Sequence, residues 1–507
     1  MVAKNSKTVT LNYLNSKIKL FLLLTPLISF GQSDPRAYHH GVCIVNYLDN
    51  NNENKYYITW SSAHDNAWEH DIYQSIIHFN ADGSYSHEVQ CDLFVGGVDG
   101  THEAQEPVNA TINRENNYIL SVWEDGMGPF APNVKGRIHK PDGTIIKDNW
   151  MIAGGEGAQH SAYTSHLGNK FLIFYADEAP PATGGAVVKC KVIDDETGQE
   201  TQTISLSPNN EDHWWPVAVS NKDNSLTLVI WGNDGYSVRG CLLHDNNGTI
   251  EPISVPQDFI INTQQYYYQV EWLENLSKFI IIARNGSYQD MTDESRVCII
   301  NTSGVVEHTA TIDGGIIREA KMAVKWNESN QSYSVFYPSG LNHLVQVNIN
   351  SNNDISTNKI ENHPDLIGKE WLPTGTWGEL ASDLSKNNSF GDDYIILFAT
   401  NDTTSNCVDL TPIHLNNNTL STNELKFIKN EITVYSNSLN TYLYVKSKCK
   451  IKEIKIYNSV GEIIGFKKGK DLKKIDIKGT PKGVYFLDIT YTQKGMSKTI
   501  SKKVLIK

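Results

Sequence analysis

The sequence predicts an all-β chain, a seven-bladed β-propeller followed by a small C-terminal β-sandwich, on three observations. A short apolar segment ending in an aromatic or small residue recurs seven times, at Tyr57–Trp60, Ile119–Trp123, Leu172–Tyr175, Leu228–Trp231, Phe279–Ala283, Ser334–Tyr337 and Ile395–Ala399. Turn glycines accompany it at Gly83, Gly143, Gly198, Gly248 and Gly304, 50 to 60 residues apart. Residues 421–507 carry 19 lysines against 7 acids, which sets them apart in composition from everything before. A period near 50 residues with about four short strands per unit marks the propeller blade.

Taken in order, residues 1–32 read as an export signal. Lys17 and Lys19 precede an apolar run, 20–30, that at 11 residues is too short to cross a bilayer. No other stretch reads as a transmembrane segment, so the mature protein is expected to be secreted or attached to the cell surface. The propeller is expected over 33–428, with blades at 38–95, 103–153, 158–206, 213–257, 266–310, 318–357 and 374–428. Hairpin signals sit at Asn80–Gly83, Pro141–Gly143 and Asn246–Gly248. The C-terminal domain takes 429–507.

Charge narrows the partners. Removing the excess of 12 in the tail and the four lysines of 1–32 from the formal −13 leaves −29 on the residues between. An acidic body argues against nucleic acid, whose binding needs clustered cations. It also repels polyanions at long range, so an anionic substrate needs a local cationic pocket. Of the seven cysteines, Cys190, Cys241, Cys298 and Cys407 fall on or beside the third strands of four blades. They read first as small buried apolar residues, ahead of metal ligation or disulfides. None has CxxC spacing.

In a propeller the loops entering each first strand, and those joining second to third strands, share one face. The first position collects His40, Glu106, His160, Trp215, Tyr268, Glu319 and Trp377, with His102, His213, Trp214, Tyr266, Tyr267 and Arg318 nearby. The second collects His64, His70, Glu124, Asp125, Asp177, Glu178, Asn233, Asp234, Tyr236, Arg239, Arg284 and Tyr288. Each residue alone reads as a satisfied loop side chain; together they predict a polar site at the mouth. The pair His64 and His70, with Asp65, Glu69 and Asp71, could hold a metal, although a solvated loop is the simpler account. No Gly-x-Ser-x-Gly elbow, Walker loop, His-Glu-x-x-His or Ser-x-Asp-x-Gly-x-Thr-Trp box occurs.

His, Tyr and Arg together suit β-elimination from a uronic-acid polysaccharide. Arg neutralises the uronate so that its α-proton becomes acidic. A His or Tyr removes that proton, and an acid protonates the departing glycosidic oxygen. On this reading His160 or His213 is the base, Tyr268 the acid and Arg284 the carboxylate partner. His40, His64, Trp214, Trp215, Tyr236, Arg239, Arg318 and Trp377 bind substrate. The chemistry requires no cofactor, and a structural zinc or calcium ion is left open. Two rivals remain: a non-catalytic glycan-binding propeller, and a glycoside hydrolase using the carboxylates Glu124, Asp125, Asp177 and Asp234.

Two resemblances sharpen these expectations. Val434–Asn440, Ile456–Gly461, Lys482–Ile489 and Lys503–Lys507 resemble the C-terminal sorting domain of the Bacteroidota type IX secretion system, with Ser436 where a Pro is usual. That resemblance implies the type IX machinery as a partner, export across the outer membrane, and removal of the domain afterwards. The stretch Ile58–Ser62 through Trp68–Tyr73, with the seven blades and the His, Tyr and Arg of the mouth, resembles the propeller ulvan lyases. It implies an ulvan-like algal polysaccharide or its oligosaccharides as substrate, two His, a Tyr and an Arg acting together, and a zinc nearby. The Tyr/Arg pair matches Tyr268 and Arg284.

Overall fold

The computed structural model describes residues 38–366, 394–400, 407–415 and 432–506, except 50, 64–69, 81–83, 97–104, 127–131, 179–184, 209–211, 224, 234–236, 287–291, 319, 329, 341–342, 362, 437–441, 448–449, 459–462, 470–471 and 494–495. The signal segment 1–32 lies outside the described residues. The chain divides into two compact units, residues 1–416 and 417–507.

Alternating apolar residues, hairpin glycines and polar turns give the first unit its repeated antiparallel sheets. Blade 1 comprises Tyr38–Leu48, Asn54–Ala63, His70–Phe79 and Tyr85–Val95, paired in that order. Blade 2 begins with Gln105–Asn113 and ends with Ile145–Ala153, and blade 3 runs from Gln159–Leu167 to Glu200–Ser205. Blade 4, opened by His213–Ser220, adds a fifth strand, Gln257–Ile261, that pairs with its third, Ser237–Asn246. Blades 5 and 6 open with Thr263–Leu273 and Ala323–Asn327. The seventh blade is represented by Tyr394–Thr400 paired with Asp409–Leu415, and its expected first strand lies outside the described residues. Gly143, Gly198, Gly248 and Gly304 hold φ of 87°, 68°, 93° and 80° in the hairpins between third and fourth strands, a left-handed conformation that suits glycine.

The recurring aromatic at the end of the second strand is a wedge between blades. Trp123 packs with Ile72 and Phe94 of blade 1, and Tyr175 with Leu120 and Val134 of blade 2. Trp231 packs with Leu172 and Phe174 of blade 3, and Tyr337 with Ile280 and Ile282 of blade 5. Each aromatic thus buries itself against the preceding blade, where removing a large side chain typically costs about 3–5 kcal/mol. Trp60 completes the series by sharing a cluster with Leu410 of blade 7, so first and last blades meet.

A covalent bond secures that meeting. Cys91, in the outermost strand of blade 1, is joined to Cys407 of blade 7, with Cα atoms 5.3 Å apart and 316 residues between them. The Tyr85 hydroxyl donates to Leu410 O at 3.0 Å beside it. The expectation of a buried thiol at Cys407 is therefore corrected. The reason is topological: the ring returns blade 7 to blade 1, and Cys91 was absent from the column first considered. Cys43, Cys190, Cys241 and Cys298 are buried thiols outside this disulfide.

The second unit is a β-sandwich. One sheet contains Ile432–Ser436, Tyr442–Ser447 and Lys474–Asp476; the other contains Ile463–Lys468, Lys450–Tyr457, Gly483–Gln493 and Met496–Ile506. Leu443, Val445 and Ile475 of the first sheet share a core with Ile454, Leu487, Ile489 and Tyr491 of the second. Among the described residues, no helix is long and apolar enough to cross a membrane.

Candidate functional site at the strand-entry rim

A backbone device repeats where each chain segment enters its innermost strand. Three steps on the first strand match two on the second between His40 and Cys43, Gln105 and Val108, His160 and Tyr163, and Trp214 and Val217. Each is a β-bulge with one extra residue; in blade 5 the excess is larger, between Thr263 and Tyr268. The first bulged residue is left-handed, with φ of 66° at Gly41, 59° at Ser161, 56° at Trp215 and 70° at Tyr266. Glycine takes this conformation freely. Ser, Trp and Tyr hold it at a cost of about 1–3 kcal/mol each, and such strain clusters where side chains are aimed for function. Blades 3, 4 and 5 therefore present Ser161, Trp215 and Tyr266 from the same strained step.

Around that step the side chains join into two groups. The His160 ring stacks on Trp214 with centroids 4.7 Å apart and planes at 26°. Its Nδ1 lies 2.8 Å from Ser161 Oγ and its Nε2 3.4 Å from Glu178 Oε1. The buried Glu124 carboxylate accepts the Ser161 N–H, tying blade 2 to the same step. In the second group, Trp215 meets Tyr266 edge-on at 4.9 Å and the Arg318 guanidinium sits 4.3 Å over the Tyr266 ring. His160, Trp214, Trp215, Tyr266 and Arg318 are all half-buried, so their faces remain partly open to solvent.

Electrostatics differ between the two sides of the first group. Burial pushes the His160 imidazole down to about 4, so it is neutral at pH 7. Burial, assisted by the Asp212 charge, raises the neighbouring Glu178 carboxyl above its usual range. His139, in the core of blade 2, is likewise held down to about 4 by burial; its Nδ1 lies 3.1 Å from Lys140 O and its Nε2 3.3 Å from Ser121 Oγ. An unfolded histidine titrates near 6.5, so below that pH the unfolded chain binds protons that these two residues refuse when folded. Stability from both is complete above pH ~6.5 and is lost as the pH falls toward ~4. Urea denaturation at pH 4.5 is expected to show a loss on the order of 2 kcal/mol per histidine relative to pH 7.

Several expected site residues have other duties. His213 is fully buried and accepts a hydrogen bond at Nδ1 from Trp231 Nε1 at 3.2 Å, so it props the blade wedge instead of serving as a base. Tyr268 is 2 % exposed, and its hydroxyl lies 3.1 Å and 2.7 Å from the carbonyl oxygens of Trp214 and Trp215. It braces the strained step from below and is not placed to protonate a leaving group. Arg284 donates from Nε to Thr292 O at 3.0 Å and lies 5.7 Å over the Tyr267 ring. Arg239 pairs with Asp258 at 3.2 Å. His40 pairs with Ser61 through its backbone, and its side chain is outside the described residues, as are His64, Tyr236 and Trp377.

The carboxylate column closes on itself. Asp125 receives Lys135 at 2.5 Å and Gln105 at 3.3 Å; Asp177 receives Lys189 at 2.5 Å and Gln159 at 2.9 Å. The same Gln, Asp and Lys recur on the first, second and third strands of consecutive blades, fastening the rim. Glu124 accepts from Ser161 N–H, so among the described residues these acids form a structural series; Asp234 lies outside the described residues. Among the described residues no cluster of three His, Cys, Asp or Glu could hold a metal. Of the group expected to hold one, His64, Asp65 and Glu69 lie outside the described residues.

Comparison with known proteins adds the following. Residues 433–507 match the family of secretion system C-terminal sorting domains. This domain directs the chain to type IX secretion, and the protein is secreted or held at the cell surface. No curated protein matches. The chain is similar in structure to the six-bladed fucose-recognising lectin of the fungus Aleuria aurantia, at 9% identity and a TM-score of 0.37, covering 62% of this chain and 94% of the lectin. It is similar to the periplasmic gluconolactonase of Pseudomonas aeruginosa, at 11% identity and a TM-score of 0.39, covering 75% and 96%. It is also similar to an α-L-arabinofuranosidase of Fusarium graminearum, at 11% identity and a TM-score of 0.39, covering 62% and 93%.

Proposed function

We propose that this exported propeller binds an anionic, uronate-containing polysaccharide on its strand-entry rim. The observation that carries the reading is the series of open aromatic and basic side chains, His160 and Trp214, then Trp215, Tyr266 and Arg318, on one strained step repeated across neighbouring blades. Half-buried indole rings offer flat apolar faces for sugar rings. The Arg318 guanidinium supplies the bidentate partner for a carboxylate, and its aromatic seat fixes its direction.

A second reading, β-elimination, rests on the opposed environments of His160 and Glu178. A neutral imidazole and a carboxyl that holds its proton above the usual range lie 3.4 Å apart, the separation of roles that acid–base chemistry needs. In that reaction His160 takes the proton α to the uronate carboxylate, the electron pair forms the 4,5 double bond, and the departing glycosidic oxygen takes a proton drawn from water by way of the Glu178 carboxyl. Gel retardation with ulvan or polygalacturonate tests binding, and absorbance at the unsaturated-uronate band tests elimination. Retardation without absorbance is expected if the rim only binds; a rise abolished by His160→Ala but kept by Tyr268→Phe supports the reaction. Migration unchanged by either polymer would overturn the proposal.

A further inference from the structure

A cavity lies on the propeller axis, apart from the rim. It measures about 920 Å³ and is walled by the inner strands of blades 1 to 6. Its outer end is formed by the exposed turns between first and second strands, which carry Arg114, Lys222, Glu274 and Glu328. Its inner end reaches Tyr163 and Lys321, where the ammonium sits 4.2 Å over the Tyr163 ring. The same two residues wall a far smaller cavity of about 30 Å³ beneath the rim, beside Trp215 and Tyr268. The Lys321–Tyr163 contact therefore divides the axis into two compartments, and the larger one faces away from the rim.

The chemistry of this chamber differs from that of the surrounding protein. Among the described residues of its wall, Arg114, Lys222, Lys321 and Lys325 outnumber Glu271, Glu274 and Glu328 by one, inside a propeller whose sequence is strongly acidic. Glu274 is further engaged by the Trp272 indole at 2.5 Å. Much of the remaining wall is Asn, Ser and Thr, and the rings of Trp272 and Trp326 add flat faces. A wholly apolar ligand would leave these donors and acceptors dry and unpaired, which costs about 1–3 kcal/mol for each buried group. A ligand of many negative charges would meet Glu271, Glu274 and Glu328 on the same wall. A compact ligand rich in hydroxyls and carrying one or two carboxylates satisfies both conditions, and the volume lies within the range of small-molecule sites.

We propose that the axial chamber is a second binding site, for a short saccharide bearing a carboxylate, entered from the end opposite the rim. The site does not depend on polymer binding at the rim. Calorimetric titration of the full-length protein with digalacturonate, followed in parallel by tryptophan fluorescence, tests it. One site per chain is expected, with cellobiose binding at least tenfold more weakly, the loss of about 1.4 kcal/mol that a missing charge contact gives. Lys325→Met and Lys222→Ala are each expected to weaken digalacturonate by about tenfold, while Trp214→Ala at the rim leaves it unchanged. Lys222 lies on an exposed turn, so its variant keeps the test open if Lys325→Met fails to fold. Absence of binding, equal binding of cellobiose, or sensitivity to Trp214→Ala instead of the chamber variants would overturn the proposal. Polymer retardation by the same variants reports separately on the rim.

Discussion

Replacing Cys91 by serine is expected to lower the melting temperature of the propeller by roughly 5–8 °C, and Cys407→Ser to do the same. The bond closes a loop of 316 residues. A crosslink of that span restricts the unfolded chain strongly, by about 5–6 kcal/mol in the chain-entropy account. It also holds together the seam where Trp60 and Tyr85 of blade 1 meet Leu410 of blade 7. Differential scanning calorimetry with and without dithiothreitol checks this. Reductant should bring the wild type down to the variants and leave the variants unmoved; an equal melting temperature for all would refute it. An exported protein meets an oxidising environment in which such a bond forms and persists.

The second large effect concerns the rim. Trp214→Ala is expected to weaken retention of a uronate polymer by about 30- to 100-fold, the range of a central aromatic contact worth about 2–3 kcal/mol. The substitution removes one stacking face and also the ring against which His160 is held. Arg318→Ala should cost less, about tenfold, and its effect should shrink as salt is raised, since it removes a charge contact. Both variants leave intact the carbonyl oxygens of Trp214 and Trp215 on which Tyr268 rests, so their melting temperatures should stay near that of the wild type. Affinity electrophoresis across a salt series separates the two contributions. Retention unchanged by Trp214→Ala would remove the rim from consideration.

The propeller was legible because its determinants are local and repeated. The second-strand segments ending at Trp123, Tyr175 and Trp231 name the interblade wedges directly, since a buried aromatic at a fixed strand position must meet the neighbouring blade. The rim was legible only to within a residue or two. A bulge adds one residue between His160 and Tyr163, and between Trp214 and Val217, so a column drawn by strand alternation drifts there. That drift placed Tyr268 and His213 in the open, whereas the bulge turns both inward. The signal was present in Pro107 and Pro216, because proline within a strand marks a bulge or an edge. The partners of Asp125, Asp177 and Arg239, and the Cys91–Cys407 bond, depend on spatial neighbours that sequence order hides.

The left-handed step at 161, 215 and 266 has a consequence for how such a surface changes over time. The hydrogen-bonded scaffold beneath it is supplied by backbone pairing and by Tyr268. Serine, tryptophan and tyrosine already occupy equivalent posts. Exchange among them, or with glycine and asparagine that adopt this geometry more readily, would alter what the rim recognises while the blades stay as they are. Specificity here is an interchangeable fitting on a fixed mount, open to drift by inheritance and to deliberate regrafting by design.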